Sequence, residues 1–398
     1  MKILAVDIGT GTQDIYLFNS QVDVENGYKL VVPSPTMMVH RRLKEATRRG
    51  EAVLLTGVTM GGGPSHWAAR DHIKAGYPLY ATPEAAQTFD DDLDRVQSQG
   101  IRVISEEEAA RLPDSILRLE MRDFDFDGIA RAFGEFGTPL DDLAAVAVAV
   151  FDHGAAPPGI SDRQFRFDYL DNQIQKHNRL SAFAFLADQV PPIMTRLQAV
   201  VDSAHQLDAP LVVMDTAPAA VLGATLDPRV RNQDRTLIAN VGNFHTLAFR
   251  LGPTGIEGVF EHHTGLLDRK QLEGLLRALA DGTLNHEEVF AHHGHGALVY
   301  NPEPLPLGEG DFDVVVTGPR RSMFHVPEGG ARKTASHPTV DGLSPLRPYF
   351  PAPFGDMMIA GCFGLLAAVA DLLPKLAEPI QKSLASSGGS GTPPWEVS

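Results

Sequence analysis

The chain has 398 residues, 43% hydrophobic and 21% charged, a globular composition long enough for two or more compact cores. A net charge of −16 argues against a nucleic-acid partner, which would call for a basic face. One cysteine, Cys362, excludes a disulfide framework, a cysteine zinc site and an iron–sulfur cluster held by this chain alone, and makes the cytoplasm the expected compartment.

The apolar run before Asp7, Ile3–Val6, is only four residues long, too short for a signal peptide. The longest uncharged apolar run, Met357–Ala370, is bounded by Asp356 and Asp371. It reads as a buried helix, too short to span a bilayer, so no membrane partner is expected.

The first segment, Ile3–Phe18, is a branched apolar strand (Ile3–Val6), a turn bearing Gly9 and Gly11, and a returning strand (Ile15–Phe18). Glycine tolerates positive φ and lets the backbone approach a ligand closely. Thr10, Thr12 and Gln13 add small polar donors. Such a tip can cradle phosphate, with Asp7 placed to hold a metal ion or its water; an ordinary hairpin turn explains the same residues.

Leu30–Val32 and Met37–His40 read as further strands of the same sheet, and Glu45–Arg49 as helix. Ala52–Thr56 is a buried strand feeding a glycine cluster at Gly57–His66, ahead of a helix over Trp67–Ala75. This has the outline of an anion site, or of a loop capped by Ser65. Short helices and a strand at Arg102–Ile104 follow. Leu119–Met121 is a strand and Phe126–Phe136 an amphipathic helix. Ala144–Phe151 is the most apolar strand and ends at Asp152-His153-Gly154, where an α/β sheet usually places its chemistry. A long loop bearing Pro157, Pro158 and Gly159 comes next, then helices over Phe183–Gln189 and Pro192–Gln206.

Pro210–Met214 is a strand leading into the small-residue helix Asp215–Ala224. Thr236–Asn240, a turn at Asn240–His245 and Thr246–Arg250 repeat the strand–turn–strand pattern of the first segment. Two such hairpins predict two related lobes, each presenting a turn to one ligand. Gly255–Phe260 is a strand. Asp268 and Gln271 have capping-box spacing ahead of a helix with Leu272, Leu275, Leu276 and Leu279 on one face and Gly282 as its stop. Val314–Val316 is the last clear strand; a proline-rich connection leads to a helix from Asp356 to about Ala377.

Taken in order, these motifs resemble the actin, heat-shock chaperone and sugar-kinase (ASKHA) superfamily over most of the chain. More narrowly, they resemble a prokaryotic branch labelled pyruvate formate-lyase activating enzyme-like. D-I-G-T-G-T (Asp7–Thr12) is similar to the first phosphate loop, and Asp215–Ala224 to the first connecting helix. Asn240–Thr246 sits where the second phosphate loop belongs. G-V-F-E-H-H-T-G (Gly258–Gly265) resembles a hairpin that closes over phosphates, V-V-V-T-G-P (Val314–Pro319) the adenosine turn, and Gly355–Ala368 the second connecting helix.

The resemblance implies an α/β, two-lobed actin-like ATPase fold, each lobe a mixed sheet flanked by helices. Lobe I would be 1–224 plus 356–385, lobe II 225–355, and 386–398 a disordered tail. The implied ligands are ATP and Mg2+. The nucleotide would be held by Asp7, Gly9, Thr10, Gly11, Thr12, Gln13, Gly242, Asn243, Phe244, Gly265 and Gly318, and the metal by Asp7 and Asp14. Two departures stand out: Asn240 replaces the usual Asp of the second loop, and Asp14 adds a carboxylate near the phosphates that repels them unless a cation intervenes. Radical activase chemistry and the cluster-bearing dehydratase activators of this fold both need cysteines that Cys362 alone cannot supply.

The leading functional expectation is an ATP-dependent phosphotransferase or ATPase acting on a small molecule or partner protein, with Asp152 as base or water-positioning group and His153 as its alternative. A second is a metal-dependent carbamoyl- or adenylyl-transfer enzyme on the same fold, and a third a non-hydrolysing nucleotide-gated scaffold. Among 15 histidines, His153, His245, the pair His262-His263 and the run His292-His293-Gly294-His295 stand out. Adjacent histidines on a strand point to opposite faces, so His262 and His263 are not expected to share one metal.

Overall fold

The computed structural model describes residues 1–157, 159–325, 344–385 and 396. Pro158, the part of the proline-rich connection at 326–343, and the expected tail at 386–395 and 397–398 lie outside the described residues. In chain order the strands are β1 (Lys2–Ile8), β2 (Thr12–Asn19), β3 (Tyr28–Pro33), β4 (Val53–Gly57), β5 (Leu79–Ala81), β6 (Arg102–Val103), β7 (Leu117–Met121) and β8 (Leu143–Val150). There follow β9 (Ala184–Leu186), β10 (Leu211–Asp215), β11 (Thr236–Val241), β12 (His245–Gly252), β13 (Gly255–His263), β14 (Gly296–Val299), β15 (Val314–Thr317) and β16 (Pro348–Tyr349).

The chain divides into two compact units. The first comprises Met1–Asn19, Tyr28–Ala155 and Phe185–Asp215; the second comprises Ser20–Gly27, Ala156–Ala184 and Thr216–Ser398. The helices Thr216–Ala224 and Ala360–Leu372 therefore fall in the second unit.

The first unit's main sheet runs β3-β2-β1-β8-β10-β9, with β1, β2 and β3 antiparallel and β8 and β10 parallel to β1. The second unit's sheet runs β14-β13-β12-β11-β15-β16, with β11, β12 and β13 antiparallel and β15 and β16 parallel to β11. Five strands of each order correspond, β1 to β11, β2 to β12, β3 to β13, β8 to β15 and β10 to β16, while β9 and β14 are added at opposite edges. The actin-like fold is thus realised as a duplicated mixed sheet flanked by helices. The central strand β8 carries Ala145–Val150 fully buried, because β1 and β10 flank it and both faces are covered.

A third sheet, β6-β5-β4-β7, is all parallel and lies in the first unit. Its core joins Val53, Leu55 and Leu79 to Val39, Leu43 and Ala46.

Three expectations are corrected here. Met37–His40 is not a strand but the first turns of the helix Pro35–Arg49. Ser34 caps it, its Oγ accepting from the Met37 N–H at 3.2 Å, and Pro35 takes the first helical position, where its missing N–H is harmless. Phe183–Gln189 is not a helix; it is split between two short 3-10 turns and β9. The expected helix from Asp356 starts at Ala360 and ends at Leu372, and a second helix, Pro374–Ala385, begins just beyond Leu373. The residue before a proline disfavours helical ψ, which places the break. The long loop after β8 also contains a helix, Asp162–Lys176, whose buried residues include Arg166, Phe167, Leu170 and Ile174.

In the second unit the helices Thr216–Ala224 and Ala360–Leu372 meet backbone to backbone. A Cβ on Gly223 would lie 1.7 Å from the Ala360 carbonyl oxygen, and one on Gly364 1.9 Å from that of Ala219. The two connecting helices approach this closely because each presents a glycine to the other.

Candidate functional site

The first hairpin turn is closed by the Gly9 N–H donating to the Thr12 carbonyl at 2.9 Å. Ser34 holds the turn from below: its Oγ donates to the Thr10 carbonyl at 2.6 Å and its N–H to the Gly11 carbonyl at 3.2 Å. The register sets Asp7 directly opposite Asp14 and Ile8 opposite Gln13. Side chains alternate across a strand, so the two aspartates share one face and Gln13 takes the other. There the Gln13 Nε2 donates to the Pro33 carbonyl at 3.2 Å. Gln13 also helps line a cavity of about 350 Å³ with Leu30, Val32, Met38, Leu119 and Ile129. Like charges directly opposite on a hairpin destabilise it unless something compensates.

At the end of β8, Asp152 is buried, and both its carboxylate oxygens are engaged. Oδ1 accepts from the Gly154 N–H and Oδ2 from the Leu197 N–H, each at 2.8 Å. Leu197 lies in the first turn of the helix Thr195–Ser203, so Asp152 caps that helix from outside it. His153 is exposed, its ring stacked on Phe151.

Beside Asp152 lies a cation that sequence reasoning missed. Arg196 grips Asp123 with two hydrogen bonds, Nε–Oδ2 at 2.6 Å and Nη2–Oδ1 at 3.0 Å, and donates to the Phe151 carbonyl at 2.7 Å. Burial works against its charge, but Asp123, with the further charges of Asp152 and Asp215, holds the guanidinium above its ordinary pKa. The Gly61 N–H also donates to Asp123, and a Cβ on Gly61 would lie 2.7 Å from the Arg196 Nη2. The glycine cluster after β4 therefore wraps the protein's own carboxylate–guanidinium pair. The signal available in the sequence was Asp123, standing two residues beyond β7 as Asp152 stands two residues beyond β8.

The second unit repeats the first turn. The Gly242 N–H donates to the His245 carbonyl at 2.9 Å, and Val241 pairs with Thr246 as Ile8 pairs with Gln13. Asn243 and Phe244 form the tip. A Cβ on Gly242 would lie 2.5 Å from the His245 carbonyl oxygen, so only glycine fits. By this register Asn240 holds the position of Asp7, Leu247 that of Asp14 and His245 that of Thr12. Gly318 has φ +95, and a Cβ there would lie 2.5 Å from both the Asn240 Oδ1 and the Val241 carbonyl oxygen; the glycine lets the chain turn against β11. Gly265, in the 3-10 turn Thr264–Leu266, faces open space. His245 meets His263 and His295 ring to ring. Burial lowers the pKa of His263, opposed by Glu261 and reinforced by His262, Arg163 and His293.

The profile of a family described as "Putative pyruvate format-lyase activating enzyme (DUF1786)" matches residues 60–323. The chain belongs to that family. The activation chemistry in the description does not follow for this DUF1786 member, since Cys362, buried in the helix Ala360–Leu372, is the one cysteine in the sequence. No curated protein matches it. Among solved structures it is similar to a ROK hexokinase from Thermus thermophilus, with 12% identity and a TM-score of 0.29, covering 93% of this chain and all (100%) of that one. It is also similar to an exopolyphosphatase-like protein (10% identity, TM-score 0.25, covering 79% of this chain and 65% of that one). A ROK-family transcriptional regulator, a homolog of E. coli MLC protein, matches at 7% identity and a TM-score of 0.24, covering 64% of this chain and 37% of that one. The chain thus spans about a third and about two thirds of the lengths of the regulator and the exopolyphosphatase-like protein. The fold assignment rests on the duplicated strand order, not on these likenesses. No helix among the described residues is long and apolar enough to cross a membrane.

Proposed function

We propose that this chain binds the phosphates of ATP with Mg2+ and acts as a phosphotransferase or ATPase on a small molecule or a partner protein. The observation that carries the reading is the pair Asp7 and Asp14, set face to face at the base of a glycine turn whose carbonyls are already tied down. Mg2+ is usually held by one or two carboxylates together with phosphate oxygens, and Asp7 and Asp14 offer such a pair on one face. Fixing the carbonyl side through Ser34 leaves the amide side of Thr10, Gly11 and Thr12 for an anion. The same closed turn at Gly242–Phe244, with Gly265 and the Gly318 turn, supplies the corresponding elements of the second unit. Gln13 braces the first turn through Pro33.

In this reading His153 is the group that takes a proton from the nucleophile or orients the attacking water. Asp152, whose two oxygens accept backbone N–H groups, holds the loop that presents His153. Mg2+, when bound, would neutralise charge developing on the transferring phosphoryl group.

The test is thermal denaturation and calorimetry with Mg-ATP. Ligand at about a hundred times its dissociation constant stabilises the folded state by about 2.7 kcal/mol. Asp7→Asn and Asp14→Asn should each weaken magnesium-dependent binding far more than metal-free binding. A chain whose melting temperature does not move with saturating ATP or ADP, and which shows no heat of binding, does not bind nucleotide, and the reading fails.

A further inference from the structure

We propose that His245, His263 and His295 bind one divalent transition-metal ion, with zinc as the best-fitting metal. The proposal does not rest on the nucleotide reading: its observations are the geometry of the three rings and the Glu261–Arg166 pair beside them, although His245 itself closes the Gly242–Phe244 turn.

One histidine from each of three separate stretches of sequence arrives at the same place. His245 opens β12 and His263 closes β13, and the two are directly paired in register, so their rings share a face. His295 immediately precedes β14, its N–H donating to the Glu261 carbonyl on β13 at 2.9 Å. The three ligand nitrogens lie within 4.8 Å of one another, and the ring centroids are 4.7–5.1 Å apart. Zinc–imidazole bonds of about 2.0–2.1 Å require nitrogens roughly 3.3 Å apart in a tetrahedral site, a closure of about 1–1.5 Å that ring torsions can supply. His262, on the opposite face, is occupied elsewhere, its ring nitrogens meeting the His263 and His292 carbonyls.

The surroundings match a metal site better than a packing contact. Interplanar angles of 42–67° are not those of parallel stacked rings. Behind the cluster, the Glu261 Oε1 lies 3.5 Å from the His295 Nδ1, and the Glu261 Oε2 accepts from the Arg166 Nε at 3.2 Å; Glu261 and Arg166 are fully buried. A carboxylate facing one ring nitrogen of a histidine orients the other toward a metal and strengthens it as a ligand. With Nδ1 turned to Glu261, Nε2 of His295 is the ligand atom. Three neutral imidazoles select a transition metal over Mg2+ or Ca2+, which favour oxygen. Three protein ligands leave a fourth position for water or a substrate oxygen, the pattern of catalytic rather than structural zinc.

The test uses the full chain, stripped with chelator and titrated with Co2+ and then Zn2+. The expected result is one equivalent of Co2+ with the intense visible bands of a tetrahedral site, displaced by Zn2+. His245→Ala, which changes a half-buried ring, and His263→Ala should each weaken binding at least about a hundredfold, while His292→Ala, an exposed neighbour, leaves it intact. Glu261→Gln should weaken binding about 10- to 100-fold, the usual effect of removing an outer partner. Circular dichroism and melting curves of the metal-free variants separate lost ligands from lost fold. Should His263→Ala misfold, His245→Ala decides alone. Failure of the wild-type chain to take up a stoichiometric ion overturns the proposal. So does unchanged binding in His245→Ala, the behaviour of an adventitious ion only.

Discussion

Replacing Gly223 or Gly364 by alanine should destabilise the second unit far more than a single added methyl ordinarily would. At Gly223 the new Cβ would lie 1.7 Å from the Ala360 carbonyl oxygen, and at Gly364 1.9 Å from that of Ala219. Ordinary contact requires about 3.5 Å, so the helices Thr216–Ala224 and Ala360–Leu372 must separate by up to roughly 1.5–2 Å. The obstacle is backbone on both sides, so no rotamer change relieves it. Overpacking of this kind costs about 3 kcal/mol or more. Against that, alanine gains about 1 kcal/mol over glycine in a helix interior, leaving a net loss of about 2 kcal/mol. For a unit of about 200 residues this lowers the melting temperature by about 4–8 °C. Thermal and urea denaturation of the full chain read the effect directly. Once the first substitution has parted the helices, the second meets less resistance, so the double variant should lose less than the sum of the two. Melting of either single variant within 1 °C of wild type would refute the close approach on which the argument stands.

Gly265→Ala is the opposite case: nothing lies within 4 Å of the added Cβ, so stability should be unchanged, and any drop in ATP affinity by calorimetry reports a ligand contact. Asp152→Asn should cost about 1–3 kcal/mol, because an amide nitrogen then faces a backbone N–H that needs an acceptor; His153→Ala should leave the urea midpoint unmoved while lowering turnover per folded molecule. For Glu257, burial raises the carboxyl pKa, but hydrogen bonds from Arg235 and Asn301 and the charges of Arg235 and Arg250 outweigh it and leave the pKa below the ordinary value. A depressed folded pKa gives stability that is present above the unfolded carboxylate pKa and lost as pH falls through the folded one. Urea midpoints taken from neutral pH into acid should therefore fall less steeply for Glu257→Gln than for wild type.

Much of the fold could be read in advance because its signals are local. The capping box at Asp268 and Gln271 closes as its spacing requires, and Leu272, Leu276 and Leu279 are fully buried beneath it. Apolar runs such as Ala144–Val150 could be little else but central strands. What failed had long-range causes. The polar helix Asp162–Lys176 is hard to see because its buried face includes Arg166, which looks like a surface residue until Glu261 is found 95 positions away. Met37–His40 has strand-like composition, and the competing signal was the Ser34–Pro35 cap. The turns of the candidate site were legible as glycine and threonine, whereas the partnership of Arg196 with Asp123 was not. Their pairing joins 73 positions of sequence separation and has no local pattern.

The duplicated hairpin also presents two different sets of side chains on one backbone device. In the first unit the register places carboxylates at Asp7 and Asp14 and a hydroxyl at Thr12; in the second, the same positions hold Asn240, Leu247 and His245. Removing both carboxylates makes the second turn a poor holder of Mg2+. Placing an imidazole where the first turn has Thr12, opposite His263 on the next strand, brings a nitrogen ligand to the end of the sheet instead. The loss at Asn240 and the gain at His245 sit five residues apart on one turn. On the two proposals above, oxygen ligands fall on the first turn and nitrogen ligands on the second. That division predicts that Asp7→Asn leaves Co2+ uptake at the histidines untouched, and that His245→Ala leaves the magnesium dependence of nucleotide binding untouched. If each substitution instead abolished both, the assignment of different ligands to the two turns would be wrong.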